Sequence, residues 1–397
     1  MNSLGTTGSH NPWSQSQWSL SHPTKISFGI RLLESLATRF SEQKILLVTS
    51  SGWIKRGLAN KILSTLEKNR CTVKTLALES SNPNFRDIKK LLAELADFSP
   101  DTVLAVGGGS VMDLAKALAV LCAQPKLEFS EFQKAVKTAD KTFNPKTLPL
   151  ITVATTSGTG SEVTPFATVW DDEEKKKYSL VGPQLHPTEA WLDPTLALPL
   201  PWDVTLATGM DALSQCIESV WNKNAHPLLI PQAARGVQLA LTALPKLQND
   251  LSNLEARSQM MESSLISGIC ISHTRTALAH AISYPLTAHY GTPHGLACSF
   301  TLPALWELNL KADDGRLNEF CKMMGILPTE FATTLRELIQ KSGFAAEFKK
   351  SVFQAEQVFS KIDEMFTPGR ADNNLSPVGH AEIKIVLKSS LKDLGIN

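Results

Sequence analysis

Short apolar runs that end in turn residues alternate with amphipathic stretches through the first half of the chain. Residues 45–49 (ILLVT) read as a buried strand that stops at Ser50-Ser51-Gly52 and leads into a helix over 57–69. The pairing recurs with a strand at 72–78 before a helix at 84–98, and a strand at 101–106 before a helix at 110–121. Three such units with short connections predict parallel strands joined by right-handed crossovers, a doubly wound α/β sheet. A further strand over 148–154 precedes the Gly-containing stretch 155–162, and a charged turn at 171–177 predicts an antiparallel hairpin of 167–170 with 178–181.

Beyond Asp193-Pro194 the period changes to that of helices, with candidates at 205–221, 230–248, 254–271, 277–288 and 293–310. The expected organisation is a loose polar tail over 1–22, an α/β domain over 23–196 and an all-α domain over 197–397. The two domains should meet across a cleft. Residues after about 310 carry no recognisable motif and are expected to line or cover its far side.

Composition narrows the class. The 397 residues hold 39 Lys plus Arg against 38 Asp plus Glu, and no basic arm or patch suggests a nucleic acid or a membrane surface. At 43% hydrophobic and 19% charged residues, the chain can bury real cores. Six scattered cysteines without a C-x-x-C pair fit a reducing compartment, so cytoplasm is expected. No apolar run approaches the ~20 residues of a membrane span, and the N-terminus lacks the pattern of a secretory signal. The expected assembly is a homo-oligomer, a dimer.

Two loops carry candidate chemistry. Gly107-Gly108-Gly109-Ser110 follows a strand and opens a helix, where backbone N–H groups and the helix dipole can attract phosphate. The alternative is a purely structural tight turn. Thr155, Thr156 and Thr159 lie in a second loop suited to phosphate, ribose or amide groups, though a hydroxyl-rich surface loop would look the same. In the second half, Asp211 and Gln215 share a helix face, His280 lies on an otherwise apolar helix and His294 follows Pro293. These are ligand types for Fe2+ or Zn2+, and spacing alone leaves ligand and structural histidine equally open.

Several segments together resemble the iron-containing, group III metal-dependent alcohol dehydrogenases from about Pro23 to about Pro303. They are Ile26-Ser27-Phe28-Gly29, Gly107 to Lys116, Thr155 to Glu162, Gly209-Met210-Asp211-Ala212-Leu213 and Pro293-His294-Gly295. The resemblance implies a dinucleotide-binding α/β domain, a helical metal- and substrate-binding domain, and NAD(P)-dependent interconversion of a small alcohol and its aldehyde or ketone. By motif position Gly108, Gly109 and Ser110 look like the pyrophosphate cradle, and Thr155, Thr156 and Thr159 like further nucleotide contacts. Lys177 resembles the family's cofactor-reaching lysine, with a solvated hairpin charge as the alternative. Asp211, His280 and His294 fit three metal-ligand positions, while the fourth holds Gln215 instead of His.

Tyr284 stands where many members carry another His, and a tyrosine is not expected to titrate near neutrality. The stretch from Ser272 to Pro285 is similar to a subgroup that includes reductases of phosphonoacetaldehyde. Arg275 is therefore a candidate for binding an anionic aldehyde, with a helix-cap or interdomain ion pair as its alternative role. The expected cofactor is NADP(H) or NAD(H). No acid follows the first strand, where Ser50 lies near Lys55 and Arg56, so NADP(H) is expected to be accepted and preferred. A lyase resembling dehydroquinate synthase and a non-catalytic nucleotide-binding protein are the alternative readings.

Overall fold

Burial of strand residues on both faces organises the first half. In this computed structural model, which describes residues 17–55, 57–80, 82–366 and 369–397, eight strands precede residue 193. They are β1 (Lys25–Phe28), β2 (Lys44–Ser50), β3 (Thr72–Leu78), β4 (Thr102–Gly107), β5 (Leu150–Ala154), β6 (Phe166–Asp171), β7 (Lys176–Val181) and β8 (Glu189–Leu192). Six form one sheet in the order β1-β8-β5-β4-β2-β3, every pairing parallel. The continuous apolar runs of β4 and β5 are buried throughout, as a parallel sheet covered on both faces demands. β6 and β7 pair antiparallel as expected.

The covering helices are α1 (Leu32–Ala37), α2 (Ser51–Lys55), α3 (Leu58–Lys68), α4 (Phe85–Ala93), α5 (Gly109–Ala123) and α6 (Phe129–Lys137). After residue 200 come α7 (Trp202–Val220), α8 (Ile230–Asn249), α9 (Leu254–Thr274), α10 (Leu278–Tyr290), α11 (His294–Ala297) and α12 (Leu302–Leu310). The chain ends with α13 (Arg316–Met324), α14 (Pro328–Lys341), α15 (Phe344–Lys349), α16 (Ala355–Phe359) and α17 (His380–Asp393). One large apolar core, including Trp221, Trp306, Phe320 and Phe331, serves the helical half. Two others lie on the faces of the sheet. Among the described residues no helix is long and apolar enough to cross a membrane.

The expected single helix over 293–310 is broken into α11 and α12. Pro303 occupies the first turn of α12, where its missing N–H is tolerated, and so the helix restarts there. β1 and β8 escape a pattern reading because each has only four residues. Of the expected tail, residues 1–16 lie outside the described residues, as does Arg56. The remainder is docked, with His22 Nε2 3.0 Å from the Val163 carbonyl and Trp18 stacked on His226 at 4.9 Å.

Register places the two loops side by side. Gly107 of β4 pairs with Ala154 of β5, and the Thr155 amide donates to the Gly107 carbonyl at 3.0 Å. β2 and β4 flank the point where successive connections diverge to opposite sides, the usual ligand position in such sheets. A buried ammonium fixes the second loop. Lys116 Nζ donates to Ser161 Oγ (3.0 Å), Thr164 O (2.9 Å), Thr164 Oγ1 (3.2 Å) and Phe166 O (2.8 Å), tying α5 to the chain between loop and hairpin. Asp113, one turn earlier, accepts from Ser161 Oγ (2.7 Å) and the Thr168 amide (2.9 Å).

Glu162 is the strained member of this cluster. Its Oε1 is buried without a hydrogen-bond partner, and burial pushes the carboxyl up to about 7 against the opposing pull of a backbone hydrogen bond and Lys116. The folded state therefore holds this proton more tightly than the unfolded chain. Stability is lost as pH rises from the unfolded value near 4.5 through about 7. Glu162→Gln is expected to match the parent protein near pH 4.5 and to exceed it at pH 8 by up to about 3 kcal/mol. Urea denaturation at the two pH values measures this; a difference independent of pH would contradict it.

Candidate active site

The site is built on one face of α7. Asp211, Gln215 and Glu218 fall at i, i+4 and i+7, and all three are buried. α10 presents His280 to this face, and α11 presents His294. Gly295 makes that approach possible, because a Cβ there would lie 1.7 Å from the Ala207 carbonyl of α7. Asp211, Gln215, His280 and His294 line one cavity together with Gly109, Ser110, Thr159, Lys177, Tyr284 and Arg370. At about 220 Å3 the cavity lies below the roughly 300–1,000 Å3 of drug-sized pockets, which suits a small substrate.

His280 is gripped from both sides. Its Nδ1 is 2.5 Å from Glu218 Oε2, while Glu218 Oε1 accepts from the Ala279 (2.7 Å) and His280 (3.3 Å) amides. Its Nε2 is buried 3.3 Å from Asp211 Oδ1, an ion-pair distance without hydrogen-bond alignment. Burial opposes a charged imidazole, but Glu218 and Asp211 outweigh it and lift His280 to about 10. Burial likewise opposes the Asp211 carboxylate, which the His280 contact and neighbouring charges nevertheless hold below the usual range. Burial, and then the Lys177 charge, push His294 down to about 3, so that ring is neutral with a lone pair to offer.

This donor set fits a divalent cation. An orphaned imidazole nitrogen beside a carboxylate, with the opposite ring nitrogen on a second carboxylate, is the usual carboxylate–histidine–metal arrangement. Asp211, His280 and Cys298 offer ligand atoms within 4.8 Å of one another, the one such group of His, Cys, Asp or Glu among the described residues. Cys298 Sγ lies 3.6 Å from Asp211 Oδ1 but outside the cavity lining, and burial raises its pKa well above the ordinary thiol value. Gln215 Oε1 accepts from Ser267 Oγ at 2.8 Å, which leaves it one lone pair. Glu218 and Cys298 escape sequence reasoning. The i+7 spacing from Asp211 and the i+4 spacing from His294 were the available signals.

Tyr284 corrects a sequence expectation. Burial alone would raise its pKa, but Lys177, Arg370 and His280 lower it to about 7. Lys177 Nζ stands 4.3 Å over the Tyr284 ring, Arg370 Nε donates to the hydroxyl at 3.2 Å, and the ring stacks on His294 at 6.3 Å.

The glycines serve loop packing as well as backbone access. A Cβ on Gly108 would meet Thr156 Oγ1 at 2.9 Å, and one on Gly109 would meet Thr159 Oγ1 at 2.5 Å. Gly108, Thr155 and Thr156 thus adjoin the cavity without lining it. Ser50 is also outside the lining, where its Oγ accepts from the Trp53 amide at 3.3 Å. Arg275 lines a second cavity with Lys223, His226 and His273. Its backbone, at φ 60° and ψ −178°, occupies a region nearly reserved for glycine, at a cost of about 1–3 kcal/mol.

The family model "Iron-containing alcohol dehydrogenase" matches residues 23–194, and that of the same family's C-terminal part matches 205–391. Aldehyde-alcohol dehydrogenase 2 of Entamoeba histolytica is 30% identical over 371 residues, 86% of this chain and 42% of the relative. This chain thus spans less than half the length of such aldehyde-alcohol dehydrogenases. A phosphonoacetaldehyde reductase of Streptomyces viridochromogenes is 38% identical over 224 residues, 56% of each chain. Among solved structures, sulfoacetaldehyde reductase of Bifidobacterium kashiwanohense in complex with NAD+ superposes with a TM-score of 0.85 at 28% identity, covering 96% of this chain and 100% of that one.

If the Glu218 carboxylate orients His280, Glu218→Gln should bind a divalent metal roughly 10–100-fold more weakly. Competition for Zn2+ or Co2+ against a chromophoric chelator gives this directly. Parental affinity in the variant would rule the role out.

Proposed function

The chain belongs to the iron-containing alcohol dehydrogenase family, and on that premise we propose that it is a metal-dependent, NAD(P)(H)-linked alcohol dehydrogenase acting as a reductase of small aldehydes. The observation that carries this reading is convergence: Gly109, Ser110 and Thr159 of the phosphate-type loops share one cavity with Asp211, His280 and His294. The proposed division of labour follows the two halves, residues 23–196 for the nucleotide and 197–397 for metal and substrate. One apolar core lying wholly within the helical half supports it.

Asp211, His280 and His294 would hold the metal, with Glu218 orienting His280 and Gln215 Oε1 as a weaker fourth oxygen. When bound, the metal supplies a Lewis acid that polarises a carbonyl and stabilises developing alkoxide charge. Gly109 and Ser110, at the start of α5, would bind the nucleotide's pyrophosphate, with Thr159 beside them and Gly108, Thr155 and Thr156 holding the paired loops in shape. Lys177 would reach toward the cofactor from β7. Tyr284 would hold the proton delivered to the product oxygen, a role supported by its contacts with His294 and Lys177. The family match favours this reading over the lyase and the non-catalytic binder.

All six thiols are free and five are buried, which supports a reducing, cytoplasmic setting. A homodimer is supported by β1, an open sheet edge with Phe28 and nearby Ile30 exposed. Light scattering should then return twice the chain mass of 43.3 kDa, and a single-chain mass would refute the dimer.

The decisive assay follows NADPH and NADH oxidation with short aldehydes after loading with Fe2+ or Zn2+. Turnover is expected with at least one metal, to be lost when analysis shows the metal removed, and to be higher with NADPH. Activity that survives complete metal removal would overturn the mechanism. A much higher kcat/KM with NADH would overturn the cofactor preference.

A further inference from the structure

Arg370 comes from the C-terminal stretch that sequence motifs leave without a role, yet it lines the cavity that holds the metal set. Its Nε donates to the Tyr284 hydroxyl and its Nη1 to the Gly369 carbonyl, leaving Nη2 uncommitted among the described residues. Among the described residues two carboxylates line the cavity, Asp113 and Asp211. Asp113 is occupied by Ser161 and Thr168, and Asp211 faces His280. Among the described residues neither Arg370, Arg275 nor Lys177 takes part in an ion pair.

The second guanidinium, Arg275, lines the other cavity. Burial and then the like charge of Arg370 depress the Arg275 pKa, with Tyr284 opposing the fall. The segment that carries Arg370 is braced. Asn373 Nδ2 donates to Thr276 O (3.0 Å) and Gly369 O (2.9 Å), the Lys223 amide donates to Asn373 O (2.8 Å), and Lys223 Nζ donates to Asp372 O (2.8 Å). Among the described residues no carboxylate pairs with these cations, and Tyr284 is the acidic group they share, so the positive charge favours an anion beside it. The position identifies which anion. Arg370 contacts Tyr284, whose ring lies on His294, and makes no hydrogen bond to the glycine loops.

Resting on the aldehyde-reductase reading, we propose that Arg370 binds the charged tail of the substrate, which is therefore a short aldehyde ending in a phosphonate, sulfonate or carboxylate. A guanidinium can take two oxygens of such a group at once and so fix the distance from the tail to the carbonyl. Arg370 is thus a specificity-determining residue, and a short linker between anion and aldehyde suits the small cavity.

The test compares phosphonoacetaldehyde and sulfoacetaldehyde with 3,3-dimethylbutanal, a neutral near-isostere, in the metal-loaded parent, Arg370→Gln, Arg370→Lys and Arg275→Gln. The ratio of anionic to neutral kcat/KM should fall on the order of tenfold or more in Arg370→Gln, chiefly through KM, and less in Arg275→Gln. Arg370→Lys should recover part of it. Equal losses on both substrate types, or no change in the ratio, would overturn the proposal. If the parent turns over no aldehyde, the reductase reading falls and calorimetry with unreactive methylphosphonate decides the anion site. Binding that weakens in Arg370→Gln supports it, and no binding or unchanged binding overturns it.

Discussion

A fully buried imidazole between two buried carboxylates sets the geometry of this protein's centre. Asp211, His280 and Glu218 are buried on packed helices, and of the three only Asp211 and His280 border the cavity. Two anions cannot persist in such surroundings unless positive charge lies between them. The fold meets that demand with helices that cannot slide. Glu218 captures the first amides of α10 as well as the ring, and Gly295 lets α11 touch the α7 backbone. Side chains 69 and 83 positions beyond Asp211 therefore face it as fixed partners. The charge arrangement and the helix packing are one constraint.

The two loops proposed to hold the nucleotide border the same cavity, and the sheet fixes them by a different device. Lys116 is buried completely, yet burial lowers its pKa only to about 8, with Asp113 and Glu162 opposing the fall. Its four acceptors come from the segment that links the second loop to the hairpin. A charge in the core thus pins a loop that glycine content alone would leave free. Gly160 and Gly268 extend the bracing across the domains, since a Cβ on Gly160 would lie 2.3 Å from Gly268 Cα. Both halves spend buried polarity on shape at the place where they meet.

These facts explain what the sequence could and could not disclose. Long apolar strands and sustained helical periods were legible because burial imposes them over many residues, as in β2, β4 and α7 to α9. β1 and β8 were not, because four residues cannot establish a period. His280 stood out as a polar group in an apolar helix, whereas Asp211 and His294 gained their meaning as ligand types from the family resemblance. Glu218 looked like one more acid on a helix, since its value lies in a partner 62 positions away. Arg370 was invisible for the same reason, and the depressed pKa of Tyr284 comes first from Lys177 and Arg370, both distant in sequence, with His280 on its own helix adding to it.

Gln215 is the remaining departure from the family pattern, and its surroundings define its effect. A neutral imidazole and an amide carry the same formal charge, so the exchange leaves the balance among Asp211, Glu218 and His280 intact. What changes is donor softness and availability: a hard carbonyl oxygen replaces a nitrogen, and Ser267 already holds one of its lone pairs. In the proposed metal site the burden of holding a cation would shift toward Asp211 and the two histidines, and hence toward whatever keeps those rings aimed. On that proposal Glu218 behind His280 and Gly295 beside His294 would matter more here than in a site with three imidazoles.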